Sequence, residues 1–259
     1  MRYLILVAVL ACSSKSPAHR EFRIAAAADL SRAFEELGKE FESRSQITPL
    51  IDFGSSGLLA KQIEQGAPFS LFAAANKDYV DQVVAAGRCD GSSAHIYARG
   101  RIGVWTPTNV VAPANLTDLA DPKYKKIAIA NPEHAPYGRA AKQALEKAGV
   151  WPQIEDRIVL GENVQATMLY ARDGNADAAV IALSLARVSD GGTFLPIDPA
   201  LHDQLDQSMV VCGTGDQADL ARQFEEFVKS RDGREVKTRY GFLLPDEKLP
   251  AQKPTASKP

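Results

Sequence analysis

Phe53 to Ala75 reads FGSSGLLAKQIEQGAPFSLFAAA, and its character changes three times along its length. The apolar approach to it, Ile47 to Phe53 (ITPLIDF), reads as a strand and ends in the turn Gly54-Ser55-Ser56-Gly57. Leu58 to Gln65 then reads as a helix, and Leu71 to Ala75 returns as an unbroken apolar strand. Strand, turn, helix, strand is the repeating unit of an α/β fold, in which helices carry the chain between strands of a mostly parallel sheet. Pro49 cannot donate to a ladder and places the first of these strands at an edge.

The same alternation extends in both directions. Upstream, Phe22 to Ala27 (FRIAAA) reads as a buried strand. Leu30 to Ser43 reads as a helix, with Ala33, Phe34, Leu37 and Phe41 at helical spacing. Downstream come a helix at Lys77 to Ala86 and a strand at Ile102 to Thr106, which Pro107 to Pro113 breaks. Strands at Ile127 to Ala130, Ile158 to Leu160 and Ala178 to Ala182 then alternate with helices at Arg139 to Lys147 and Gln165 to Asp173. Met209 to Cys212 reads as a strand and Asp219 to Lys229 as a helix. In such sheets a ligand sits beyond the carboxyl ends of the strands, where helix N-termini point into a crevice.

Composition narrows the function. The 259 residues are 45% hydrophobic and 24% charged, the balance of a folded globular protein. With 30 basic and 32 acidic residues the net charge is −2, which offers no broad footprint for nucleic acid. An anionic ligand therefore needs a local site. Tyr3 to Ala11 (YLILVAVLA) after Arg2 is too short to span a bilayer and fits the core of a secretory signal. Val9-Leu10-Ala11-Cys12 resembles a lipobox, which would make Cys12 a lipidated residue after cleavage, and Ser13 to Pro17 a short tether. Cys89 and Cys212 then remain. With no CxxC spacing a zinc site is not expected, and the two are either a disulfide or separate buried thiols.

Three strand-to-helix turns are suited to an anion. Ala26-Ala27-Ala28-Asp29 has small residues that let a ligand approach the backbone. Gly54-Ser55-Ser56-Gly57 offers two hydroxyls beside free helix-start amides. Gly161-Glu162-Asn163-Val164 opens a third helix. Singly, Ser, Asp and Asn in such places are ordinary N-caps. The weight lies in three such turns opening three helices of one α/β chain.

These residues resemble the periplasmic molybdate-binding proteins. The match runs in order through AAADL (Ala26 to Leu30), Phe53 to Ala75, NPEHAPYGRAAKQAL (Asn131 to Leu145), GENVQATM (Gly161 to Met168), GNADAAVIALS (Gly174 to Ser184) and RYGF (Arg239 to Phe242), covering roughly residues 22–243. The resemblance implies a two-lobed periplasmic binding protein of the type II, Venus-flytrap fold, which is not an enzyme and uses no cofactor. Its ligand would be molybdate or tungstate, held by hydroxyls and backbone amides. Its partners would be a membrane permease of an ATP-driven importer and, through Cys12, the membrane itself; nucleic acid is not a partner, and a monomer is expected. Carried over by position, the ligand contacts fall on Ser56 with Ser55 beside it, on the backbone of Tyr137 and on the backbone of Val164. Two positions depart from the family. Asp29 stands where members have a serine, and Ala182 where they have a tyrosine. A carboxylate facing a dianion in a dry cleft is repelled. The Asp29 side chain is therefore expected to cap its own helix while its amide, or that of Ala28, faces the ligand. The Tyr137 phenol is the candidate to replace the missing tyrosine.

The implied layout is a signal and tether over residues 1–20, a first lobe of 21–101 plus 213–243, a second lobe of 102–212, and a mobile tail over 244–259. Enzyme readings find little support. Gly213 to Ala218 has the form GxGxxA after a strand, but too little chain follows for a nucleotide-binding half. GxSxG and GxxxxGK[ST] are absent, and His19, His95, His134 and His202 form no HxH or HExxH set. His134 is expected to bond locally in its turn. The alternatives are a binding protein for another tetrahedral anion such as sulfate or phosphate, one for a small organic acid, or a lipid-anchored sensor with an inactive cleft.

Overall fold

Strands buried on both faces anchor the architecture. In the computed structural model, which describes residues 20–247, the chain opens with β1 (Arg20–Ala27), whose last four residues are all buried. A 3₁₀ turn (Ala28–Leu30) leads into α1 (Ser31–Ser45), which lays Ala33, Phe34, Leu37 and Phe41 on the sheet and ends at Gln46 in the left-handed conformation, φ 58°. Then follow β2 (Ile47–Gly54), α2 (Ser56–Glu64), β3 (Leu71–Ala74), α3 (Lys77–Ala85) and β4 (His95–Gly100). After the single residue Arg101 the chain enters a second sheet with β5 (Ile102–Pro107). There it forms β6 (Ile127–Ala130), α4 (Pro136–Lys147), α5 (Trp151–Ile154), β7 (Ile158–Gly161), α6 (Val164–Arg172), β8 (Ala178–Ala182), α7 (Leu183–Ala186) and β9 (Gly192–Pro196). It returns through residues 197–204 to β10 (Leu205–Val211), α8 (Asp216–Lys229) and α9 (Arg231–Arg239).

The two sheets share one plan. Their orders are β2-β1-β3-β10-β4 and β7-β6-β8-β5-β9. In each, three parallel strands are followed by one antiparallel strand, and a fifth strand then restores the first direction. The antiparallel member is in both cases the first strand after the chain crosses between sheets. Pro49 lies, as expected, on an edge strand: β2 pairs only with β1. On one face of the first sheet, α1 and α8 bury an aromatic cluster in which Phe41 and Phe224 meet edge-on at 5.3 Å. On the other face α2 and α3 pack Leu59, Ile63, Val80 and Val83 against Phe72.

Several expectations are corrected. β10 begins at Leu205 and lies in the first sheet, so the second crossing falls at residues 197–204 and not at 212. The reason is that β10 pairs with β3 and β4, a long-range choice that its apolar run does not reveal. The helix expected from Arg139 starts at Pro136, because Pro suits a first helical position. The segments β4, β9 and α9 were not expected as elements. The ordered chain reaches past 244, with Leu243 bridging Arg99 and Leu244 buried. Cys89 and Cys212 form a disulfide. Cys12 and the rest of the expected signal and tether up to His19, and the remainder of the expected tail from residue 248, lie outside the described residues. No helix among the described residues is long and apolar enough to cross a membrane.

Candidate functional site

Four strand ends deliver their following residues to one cavity between the two sheets. Ala27, Ala28 and Asp29 come from the end of β1, Gly54, Ser55 and Ser56 from the end of β2, Ala135, Pro136 and Tyr137 from the start of α4, and Asn163 and Val164 from the start of α6. With Ala75 they line one small cavity. Small side chains dominate this wall, so backbone groups can approach whatever the cavity holds. The first-turn amides of α2, α4 and α6 have no acceptor inside their own helices. At α6 the Asn163 side chain takes the Gln165 and Ala166 N–H groups at 3.0 and 2.9 Å, leaving the Val164 amide at the first position.

The two serines of the GSSG turn have different tasks. The Ser55 hydroxyl donates to the His134 carbonyl at 2.5 Å, and His134 Nδ1 lies 2.9 Å from Ser55 Oγ. Because the serine proton is aimed at the carbonyl, Nδ1–H supplies the hydrogen of the second contact. The Gly57 amide also donates to the His134 carbonyl at 2.9 Å. The His134 ring and carbonyl thus join the lobes, while its backbone N–H bonds locally, as expected, to the Asn131 carbonyl at 3.3 Å. Ser56 is fully buried, and its oxygen accepts the Ala75 amide at 3.0 Å. Its own proton has no partner among these contacts, which leaves Ser56 the hydroxyl able to donate to a bound anion.

Asp29 behaves contrary to expectation. It does not cap its helix. Its Oδ2 accepts the Tyr137 phenol at 2.9 Å and Gln207 Nε2 at 2.8 Å, linking the first lobe to α4 and to β10. The Ser184 hydroxyl donates to its carbonyl at 2.7 Å. Oδ1 is buried without a partner. Burial pushes the carboxyl up to about 7, outweighing the lowering by the Tyr137, backbone and Gln207 hydrogen bonds. The Tyr137 phenol is held well above its ordinary value, first by burial and then by the Asp29 charge, so it stays a donor. It points at Asp29 and does not replace the missing family tyrosine. Gly100 makes room for it: a Cβ there would lie 2.1 Å from the Tyr137 hydroxyl.

Of the residues singled out in the sequence, Ala28, Asp29, Ser55, Ser56, Tyr137 and Val164 line the cavity, and Ala182 does not. Ala182 ends β8 beside Ile102, fully buried. Sequence reasoning missed Gln207 and Ser184. Gln207 is fully buried, but it stands between Asp206 and Ser208 ahead of the apolar run Met209 to Val211, so nothing local marked it. Among the described residues no group of three or more His, Cys, Asp or Glu side chains could hold a metal ion.

Comparison with known proteins places this arrangement. The family model described as bacterial extracellular solute-binding protein matches residues 22–243. The molybdate-binding protein ModA of Rhodobacter capsulatus is 29% identical over 222 residues, covering 85% of this chain and 86% of that protein. The putative ABC transporter substrate-binding lipoprotein YvgL of Bacillus subtilis is 33% identical over 226 residues, covering 85% of each. The solved structure of the Azotobacter vinelandii periplasmic molybdate-binding protein superposes with a TM-score of 0.81 at 25% identity, covering 86% of this chain and 99% of that one.

Proposed function

The chain belongs to the bacterial extracellular solute-binding protein family, and we propose that it is the substrate-binding subunit of an importer for molybdate or tungstate, with no catalytic activity of its own. The observation that carries this reading is the cavity itself: three helix starts, a 3₁₀ turn and the Ser56 hydroxyl converge on a space with no Lys, Arg or His side chain in its wall. A cleft of that kind supplies many neutral N–H and O–H donors around one center, which suits a compact, many-oxygen anion. It suits an organic acid less, because the cavity is too small for an extended carbon skeleton. Molybdate and tungstate differ from sulfate by longer metal–oxygen bonds, and a rigid ring of amides reads that size. The sequence relatives whose names specify a ligand name molybdate, as does the Azotobacter vinelandii structure, whereas a structural neighbour at 14% identity is a sulfate-binding protein.

In this reading the two sheets are the two lobes, and Arg101 and residues 197–204 are the hinges about which they part to admit the anion. Closure forms the Ser55–His134 and Asp29–Tyr137 contacts and shields the ligand from water. The closed monomer then docks on the membrane permease of an ATP-driven importer. The lipobox-like Val9-Leu10-Ala11-Cys12 would anchor the protein outside the cytoplasm, and a relative carries the word lipoprotein in its name.

The test is a thermal-shift series with molybdate, tungstate, sulfate and phosphate. A ligand that binds only the folded state stabilises it by about 2.7 kcal/mol at a hundredfold excess over its Kd. A rise with molybdate or tungstate and none with sulfate is expected. A rise confined to sulfate or phosphate would change the ligand, and no rise with any of the four would remove the oxyanion reading.

A further inference from the structure

We infer that the cleft captures its oxyanion together with one proton, held between Asp29 and the ligand. This deepens the oxyanion reading and rests on it. Asp29 is 1% exposed and part of the cavity wall. Its two oxygens are not equivalent. Oδ2 accepts from two donors, Tyr137 Oη–H and Gln207 Nε2–H, whose hydrogens are both aimed at it. Oδ1 has no partner in the protein. A proton on this carboxyl therefore resides on Oδ1, and an O–H there needs an acceptor.

An anion in the cavity supplies that acceptor. No Lys, Arg or His side chain stands in the wall, so a fully ionised Asp29 would set two negative groups against each other where water is excluded. One proton removes the repulsion and forms an O–H···O contact. Whether that proton is assigned to Oδ1 or to a ligand oxygen, the complex has the same composition. It enters from solvent as the cleft closes and returns when the cleft opens.

The groups facing Asp29 leave it as the proton's site. From α4 comes the Tyr137 phenol and from β10 the Gln207 amide. From β4 comes Tyr97, a buried phenol held well above its ordinary value by burial and by the Asp29 charge. From α7 the Ser184 hydroxyl reaches only the carbonyl. Among the described residues no Lys, Arg or His hydrogen-bonds to the carboxyl. The histidine at the cleft, His134, is engaged with Ser55. Burial without a cation pushes Asp29 up to about 7, in keeping with a site that holds a proton near neutrality.

The experiment is titration calorimetry of the full chain with sodium molybdate and sodium phosphate. It is run at pH 8 in two buffers of different ionisation enthalpy and then repeated up to pH 9.5. The wild type is expected to take up about one proton per anion, its affinity falling about tenfold per pH unit. Asp29→Asn is expected to bind with no proton uptake and a flat profile. The proton count on the wild type stands even if the variant folds poorly. Zero uptake with a flat wild-type profile would overturn the proposal alone, as would an unchanged slope in Asp29→Asn. Binding of neither anion at any pH would overturn it together with the oxyanion reading.

Discussion

Removing the disulfide tests how the two crossings of the chain are held. Cys89 follows α3 and Cys212 follows β10, so the bond joins positions 123 residues apart and encloses the whole second sheet in its loop. Constraint of the unfolded chain by a loop of 100 residues is worth about 4.7 kcal/mol, and its logarithmic growth brings this loop to about 5 kcal/mol. For a chain of this size that corresponds to a fall in Tm of about 10–20 °C. The folded state has little reason to change. The flanking backbone is independently paired, with Asp90 N–H on the Val211 carbonyl at 2.8 Å and Cys212 N–H on the Ser70 carbonyl at 2.9 Å. Neither cysteine lines the cavity. The Cys89→Ala, Cys212→Ala double variant should therefore lose stability in calorimetry and urea unfolding while keeping its anion affinity in titration. A thiol count on the unfolded wild type should find neither cysteine free. A Tm change under about 5 °C in the variant, or reactive thiols at both positions in the wild type, would refute the loop-closure reasoning. A parallel loss of affinity would show that the bond shapes the cleft as well.

Other substitutions separate the parts of the site. Ser56→Ala removes both the hydroxyl donor and the acceptor of the Ala75 amide. Affinity should fall by about 1–3 kcal/mol, and unchanged affinity in calorimetry would take Ser56 out of the site. Gly57→Ala would put a Cβ 2.7 Å from the His134 carbonyl, which faces it from the other lobe, and 2.7 Å from the Tyr79 hydroxyl on α3 of its own lobe. It should block closure, lowering affinity at least about tenfold, or 1.4 kcal/mol, with little change in unliganded Tm; scattering that still shows ligand-induced compaction would contradict this. Asp29→Asn should flatten the pH dependence of unliganded stability. Burial pushes the folded carboxyl up to about 7 from its ordinary value of 3.8, so the folded form holds the proton longer. The stability this group contributes is complete below pH 4 and is lost as pH rises to 7, by up to about 4 kcal/mol. Equal slopes in urea unfolding of wild type and variant would exclude the buried carboxyl as their source. Cys12→Ala should move the protein from the membrane fraction to the soluble fraction; a wild type found only in the soluble fraction would end the lipobox reading.

The closing contacts suggest why this cleft works without the tyrosine that its family resemblance implies at position 182. In this chain the Tyr137 phenol, Asp29 and Gln207 form one buried cluster at the meeting of both lobes and the returning strand. That cluster binds the lobes to each other, whereas a ligand-facing tyrosine would bind one lobe to the anion. Loss of one donor at Ala182 is thereby offset by a lobe-to-lobe hydrogen bond and by the proton that Asp29 can bring. Tyr137→Phe separates these effects, since it deletes the link and keeps the ring.

How far the sequence reveals such a site depends on the range of the contacts that define it. The inner parallel strands β3, β6 and β8 were legible because they are short apolar runs buried on both faces, as in Ile127–Ala130, where every residue is buried. Strand β4 (HIYARG) and strand β9 (GTFLP) lie at sheet edges with mixed polarity, and α9 (RDGREVKTR) buries only Gly233, Val236 and Lys237, so none carries a clear period. The site follows the same rule. That Gly54 to Gly57, Ala28 and Val164 stand at helix starts is local information, and the structure brings them to one cavity. What each side chain does there is not local. Ser55 acts through His134, 79 positions away, and Asp29 through Tyr137 and Gln207 at 108 and 178. A local reading of Asp29 has only its own helix to offer as partner and so assigns it to capping. Partners across the cleft instead saturate one oxygen and leave the other bare. The arrangement around Asp29 thus arises only when the two lobes meet.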